Sequence, residues 1–218
     1  MTRIRPRRRL RASSILELLI VLLTLALIFL GLILPTLSGS GKATRITCIS
    51  HLKQVGLALR MWSGDHGGKF PMAVSTNQGG SLEFTGPSDV WRHFQVISNE
   101  LNSPKVLSCP SDKKRKEHRD FASLNNQHLS YFIGLDASEY LSNMLLTGDR
   151  NLTTNGRVMS GILTLTSDSP LAWTKDIHAK GLGANIGLAD GSARQVDIRG
   201  LCELITLGTN VGARPDLP

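Results

Sequence analysis

The strongest pattern in the chain lies near its start. From Leu18 to Leu34 the sequence reads LLIVLLTLALIFLGLIL, with no charged residue, and Ile15 and Leu16 extend the run on the far side of Glu17. At 1.5 Å of rise per residue, the run approaches the roughly 20 apolar residues that cross a bilayer as a helix. It therefore predicts a membrane-spanning helix that ends near Pro35. Residues 35–41 (PTLSGSG) are rich in helix breakers. A second pattern begins at Ala43. Cys48, Leu52, Val55, Leu59 and Trp62 follow one another at alternating steps of four and three, which is one stripe of an amphipathic helix. Lys53 and Arg60 lie off the stripe, and Gly64, Gly67 and Gly68 end it. The two patterns together predict one long helix in two halves.

Beyond Lys69 the periodicity shortens. Residues 75–90 are polar and rich in Gly and Ser, and read as loop. Residues 90–101 (VWRHFQVISNEL) are consistent with a short helix, and Ser108-Cys109-Pro110-Ser111-Asp112 is turn chemistry. Strands are predicted at 129–133, 143–146, 161–166 and 184–188. The last is joined through Ala189-Asp190-Gly191-Ser192 to a strand at 193–196, an Asp-Gly hairpin signal. Residues 201–207 are too short to assign. The expected class is α+β: a long N-terminal helix, its first half transmembrane, packed on a small antiparallel sheet. The expected segments are a leader at 1–12, a membrane and assembly helix at 13–37, the second half of the helix at 38–68, and a globular head at 69–218.

Charge alters the picture at one end only. The chain has 218 residues and a net charge of +8. Arg3, Arg5, Arg7, Arg8, Arg9 and Arg11 supply most of that excess, so it reads as a topology signal before it reads as a nucleic-acid surface. By the positive-inside rule it places the start of the chain in the cytoplasm and the head across the membrane. Glu17 is then a carboxylate at the head of an apolar helix, and it needs a positive partner.

Small residue, Glu and apolar run behind a basic leader resemble the N-terminal signature of type IV prepilins and type II secretion pseudopilins. The resemblance implies cleavage between Ala12 and Ser13 by a prepilin peptidase, and methylation of the new terminus. It also implies that Glu17, the fifth mature residue, pairs with the amino terminus of a neighbouring subunit. Ala12 stands where the family has Gly, and Ser13-Ser14 where Phe-Thr is common. Further segments are similar to pseudopilin-like proteins of planctomycetes and verrucomicrobia: residues 46–56 (ITCISHLKQVG), Leu107 to Asp112, Ser130-Tyr131-Phe132, Gly148-Asp149-Arg150-Asn151, and Ala189 to Ser192. His178 precedes Asp190, as a His precedes Asp-Gly in that group.

The resemblance implies a structural subunit of a type II secretion or type IV pilus-like filament in the bacterial envelope. The chain would sit in the inner membrane by a single pass, beside other pilin-like subunits in a homo- or hetero-oligomeric filament. The alternative is an anchored extracytoplasmic binding domain that does not polymerise. No catalytic constellation is recognisable. Gly39-Ser40-Gly41-Lys42 lacks the outer residues of a phosphate loop, with Thr36 and Ala43 in their places. The run at 113–119 (KKRKEHR) has no interleaved aromatic residue, so a solvated loop is expected and nucleic acid is not. Neither cofactor nor metal site is expected. Some pseudopilin heads hold calcium, and Asp149, Asp168, Asp176 and Asp190 are available oxygen donors, although no spacing singles out a site. Cys48, Cys109 and Cys202 are too scattered for a zinc knuckle. A disulfide between Cys48 and Cys109 would staple helix to head; a pair of buried thiols is the other reading.

Overall fold

The computed structural model describes residues 15–33, 40–166, 168–178, 183–208 and 215–218. Two compact units are resolved, Met1–Ser40 and Gly41–Pro218. The leader at 1–12, with the Ala12-Ser13 junction, lies outside the described residues.

In the first unit, helix α1 covers Ile15–Ile33, with Glu17 in its first turn. Its side chains over 15–31 are exposed, with Ile15 at 79%, Leu23 at 62% and Phe29 at 67%. The transmembrane expectation is overturned here. No described helix is long and apolar enough to cross a membrane. The 19 residues of α1 rise about 28 Å, short of a hydrocarbon core of roughly 30 Å. Glu17 shortens the apolar part further. The next helix, α2 at Ser40–Asp65, carries Lys42, Arg45, Lys53 and Arg60 and cannot extend the span. A transmembrane first half, a membrane partner and a single-pass inner-membrane placement are therefore not supported.

The second unit is α+β. In α2 the predicted stripe is the buried face: Cys48, Leu52, Val55 and Leu59 are fully buried, and Trp62 is 4% exposed. The helix closes on Ser63, whose carbonyl accepts from the backbone N–H groups of His66 at 3.0 Å and Gly68 at 2.9 Å. Short helices α3 (Val90–Val96) and α4 (Ser98–Leu101) follow.

A six-stranded antiparallel sheet forms from β1 (Tyr131–Gly134), β2 (Leu145–Asp149), β5 (Gly161–Ile162), β7 (Ala184–Leu188), β8 (Ala193–Val196) and β9 (Pro215–Leu217), in the order β5-β9-β1-β2-β7-β8. A smaller sheet orders β4 (Arg157–Val158), β3 (Leu152–Thr154) and β6 (Leu171–Trp173). Both faces of the large sheet are covered, which is why β1, β2 and β7 are buried throughout. Tyr131, Ile133 and Leu146 join the α2 stripe in one core. Phe132, Leu145, Ile186 and Val196 join Leu201, Leu204 and Ile205 of helix α5 (Ile198–Gly208) in another.

Glycine sits at two close approaches. A Cβ on Gly56 of α2 would lie 3.3 Å from Cα of Gly191, which itself has φ +82° in the β7–β8 turn. Arg60 secures the same contact: its Nη1 donates to the Ala189 carbonyl at 3.0 Å, and its Nη2 pairs with Glu139 at 3.1 Å. In the second core, a Cβ on Gly148 of β2 would stand 2.5 Å from Cδ1 of Ile186 and 2.7 Å from Cε1 of Phe132. Gly148→Ala is therefore expected to cost about 1–3 kcal/mol through overpacking, read as a lowered urea midpoint with an unchanged slope.

Candidate functional site

Several of the segments singled out in the sequence meet at one buried cluster. Cys48 on α2 is disulfide-bonded to Cys109, with Cα atoms 5.3 Å apart. Cys109 opens a turn in which the Asp112 N–H donates to the Cys109 carbonyl at 2.8 Å. Asp112 then receives a forked ion pair from Arg150, with Nε–Oδ2 at 2.7 Å and Nη2–Oδ1 at 2.8 Å. Both partners are buried. Arg150 follows directly after β2, so the strand end aims it at the turn.

Asp149, the last residue of β2, is fully buried. Its Oδ2 accepts from the Asn185 backbone N–H at 2.7 Å and lies 3.5 Å from Nε2 of His178. Its Oδ1 has no hydrogen-bond partner among the described residues. Asn185, on β7, donates from Nδ2 to His178 Nε2 at 2.9 Å. The same Nε2 lies 3.5 Å from Sγ of Cys109.

The backbone of His178 is left-handed, at φ +58°, a conformation that few non-glycine residues adopt. The loop is tied on both sides. The His178 carbonyl accepts from Nη2 of Arg45 at 3.2 Å, and Nδ2 of Asn151 donates to the carbonyls of Thr174 at 2.7 Å and Ile177 at 3.5 Å.

Burial dominates the electrostatics. Desolvation pushes Asp149 up to about 7, against the Asn185 N–H and the Arg45 charge, which favour the carboxylate. Desolvation, with Arg45 adding to it, brings His178 down to about 4. Both shifts favour the neutral forms. The Tyr131 phenol is raised well above its usual value by burial and then by Asp149 and Asp112.

The signs give a pH prediction. A raised carboxyl contributes stability that is lost as pH rises through its folded value; a lowered imidazole contributes stability that is lost as pH falls through its own. Between about pH 4 and 6.5 the two slopes oppose one another, and this pair leaves stability nearly flat. Asp149→Asn removes the carboxyl term and leaves the His178 term, set by burial and then by Arg45. Its unfolding free energy is expected to rise by up to about 1.4 kcal/mol per pH unit over that window, measured by urea titration at stepped pH against the parent.

The arrangement is not a nucleophilic triad. In a triad, base and orienting acid use opposite ring nitrogens. Here Cys109 and Asp149 both face Nε2, and Cys109 Sγ is already bonded to Cys48. Among the described residues, Cys48, Cys109 and His178 do form a trio whose potential ligand atoms all lie within 4.8 Å of one another.

The remaining residues singled out from the sequence are placed elsewhere. Glu17 is exposed in α1. Asp176 pairs with Lys114 at 2.7 Å, and the Asp190 side chain caps the β7–β8 turn by accepting from Ser192 N–H at 2.8 Å. Asp168 is exposed. With Asp149 inside the cluster, these acids form no shared metal site among the described residues. The sequence reading missed Arg45 and the Asp112–Arg150 pair. The only available signal was that Asp112 and Arg150 each lie inside a segment already singled out, and Arg45 directly beside one. Comparison with known proteins gives no further guidance: no family model, no curated protein and no solved structure matches the chain.

Proposed function

We propose that this chain is a structural subunit of a filament of the type II secretion or type IV pilus kind, assembled helix to helix through α1. The observation that carries this reading is the contrast between the units. Gly41–Pro218 has its own cores, whereas α1 beyond Glu17 is apolar on every side and its side chains over 15–31 are exposed. A helix that is hydrophobic all round is stable only when buried. Full burial of each Leu, Ile, Val or Phe contributes about 1.5–3 kcal/mol, so neighbouring copies of α1 are strong mutual partners. Glu17, in the first turn, supplies a charge that a neighbouring amino terminus can meet, as the resemblance to prepilins implies. A prepilin peptidase acting at Ala12-Ser13 would create that terminus.

The test is assembly of the full chain, followed by light scattering and lysine cross-linking. Leu23→Glu places a charge in the middle of the apolar run and is expected to abolish multimers while leaving the second unit folded. Glu17→Ala is expected to assemble but to lose when mixed with intact chain. A full chain that stays monomeric, or a Leu23→Glu variant that assembles like the parent, would favour a binding domain that does not polymerise.

A further inference from the structure

We propose that, once its disulfide is reduced, this protein binds one thiophilic divalent cation of the zinc class at Cys48, Cys109 and His178. The site is independent of the filament reading, since all its donors belong to the second unit.

The donor set is the first argument. Two thiolates and an imidazole are the ligands that tetrahedral zinc selects. All three residues are buried, with His178 at 8% exposure and the cysteines at 2% or less. The distances are the second. With Zn–S near 2.3 Å and Zn–N near 2.05 Å, the S···N edge of a tetrahedron is about 3.5 Å. Nε2 of His178 stands 3.5 Å from Sγ of Cys109. That edge is already set, and cleavage of the S–S bond lets the sulfurs part to the S···S edge.

The setting is the third argument. Nε2 accepts from Asn185 Nδ2, so the ring proton belongs on Nδ1, and a cation would take the Nε2 lone pair in place of that amide donor. The Arg45 bond to the His178 carbonyl and the Asn151 bonds to the preceding residues hold the loop that carries the ring. His178 itself keeps an uncommon left-handed backbone. Beside it, Asp149 is fully buried with Oδ1 unpartnered among the described residues. Its Oδ2 lies 3.5 Å from the same Nε2, so a cation here would have a carboxyl group beside its imidazole ligand.

The chemistry balances. A phosphine and one water convert the disulfide to two thiols and a phosphine oxide; a dithiol would do so by becoming a disulfide itself. The cation then replaces the two thiol protons, which leave to solvent, and no electrons move.

The experiment uses the full chain carrying Cys202→Ser, so that Cys48 and Cys109 are the only thiols. The protein is reduced anaerobically with a phosphine, desalted and titrated with Co²⁺. The expected result is one equivalent of cobalt, with tetrahedral ligand-field bands and thiolate-to-cobalt charge transfer, displaced by Zn²⁺. The oxidised chain should show neither. His178→Ala in the same background should weaken binding at least tenfold. Circular dichroism accompanies each titration; a reduced chain that is unfolded but refolds on adding cobalt supports the site. Because His178→Ala could itself unfold, X-ray absorption of the zinc-loaded parent gives a separate reading. Two sulfurs with imidazole scattering support the proposal. A shell without imidazole, no tetrahedral bands, or equal binding by His178→Ala overturns it.

Discussion

Arg150→Met is expected to destabilise the second unit by about 3–5 kcal/mol, the usual consequence of leaving one member of a buried ion pair alone. The Asp112 carboxylate would keep only its contact with the Lys114 N–H at 3.1 Å, in a place that water does not reach. At roughly 2–4 °C per kcal/mol for a domain of this size, Tm should fall by about 6–20 °C. Asp112→Leu should do comparable harm, because the guanidinium is then unpaired beside Arg115, whose own charge is disfavoured first by burial and then by Arg150. The double variant decides what the pair is for. Two apolar groups of similar bulk remove both desolvation costs, so Asp112→Leu with Arg150→Met should recover much of the loss. If the double variant is as unstable as the sum of the singles, the pair acts through the turn it organises and not through mutual charge compensation. Thermal and urea unfolding of the four proteins measures the cycle.

Periodicity made the α2 stripe legible because a helix lying on a core repeats its apolar face at steps of three and four. The Asp190-Gly191 hairpin was legible for a different reason: its turn requires a left-handed residue, and the sequence supplies the glycine. The strands were harder. A sheet buried on both faces shows no alternation, so the expectation at 143–146 became a strand at Leu145–Asp149, and 161–166 shortened to Gly161–Ile162. Helix α5 was passed over because residues 201–207 alone show only two turns; its amphipathic character emerges once it starts at Ile198. The apolar run of α1 was plain, but the inference from it to a membrane span was not supported, because apolar sequence states only that water is excluded and not by what. The sequence had set His178 upstream of Asp190, with Asn185 between them. The fold keeps His178 and Asn185 together and sends Asp190 to a turn. Asp149 takes the place beside His178 instead, brought there by the antiparallel pairing of β2 with β7. No local pattern could reveal that, because the contact depends on register between strands far apart in the chain.

Reduction of the Cys48–Cys109 bond, in the presence of a chelator, is expected to lower stability by about 4 kcal/mol. The bond spans 61 residues, and a loop of that length restricts the unfolded chain by about this amount in the chain-entropy account. The folded side changes little, since both sulfurs remain in a closed core with Leu52 and Leu107. The effect therefore lies mainly in the denatured ensemble, and it leaves a signature beyond the midpoint. An uncrosslinked chain exposes more surface on unfolding, so the urea slope should steepen on reduction while the midpoint falls. Cys48→Ala with Cys109→Ala should show the same steeper slope. It should also lose somewhat more stability, because two buried side chains shrink and the α2 face no longer fills the space beside the turn. If reduction lowers the midpoint with no change of slope, the bond stabilises through native contacts, and the variant's extra loss should then vanish. If reduction leaves both midpoint and slope unchanged, the cross-link contributes nothing, and the core around Cys48 holds α2 to the sheet unaided.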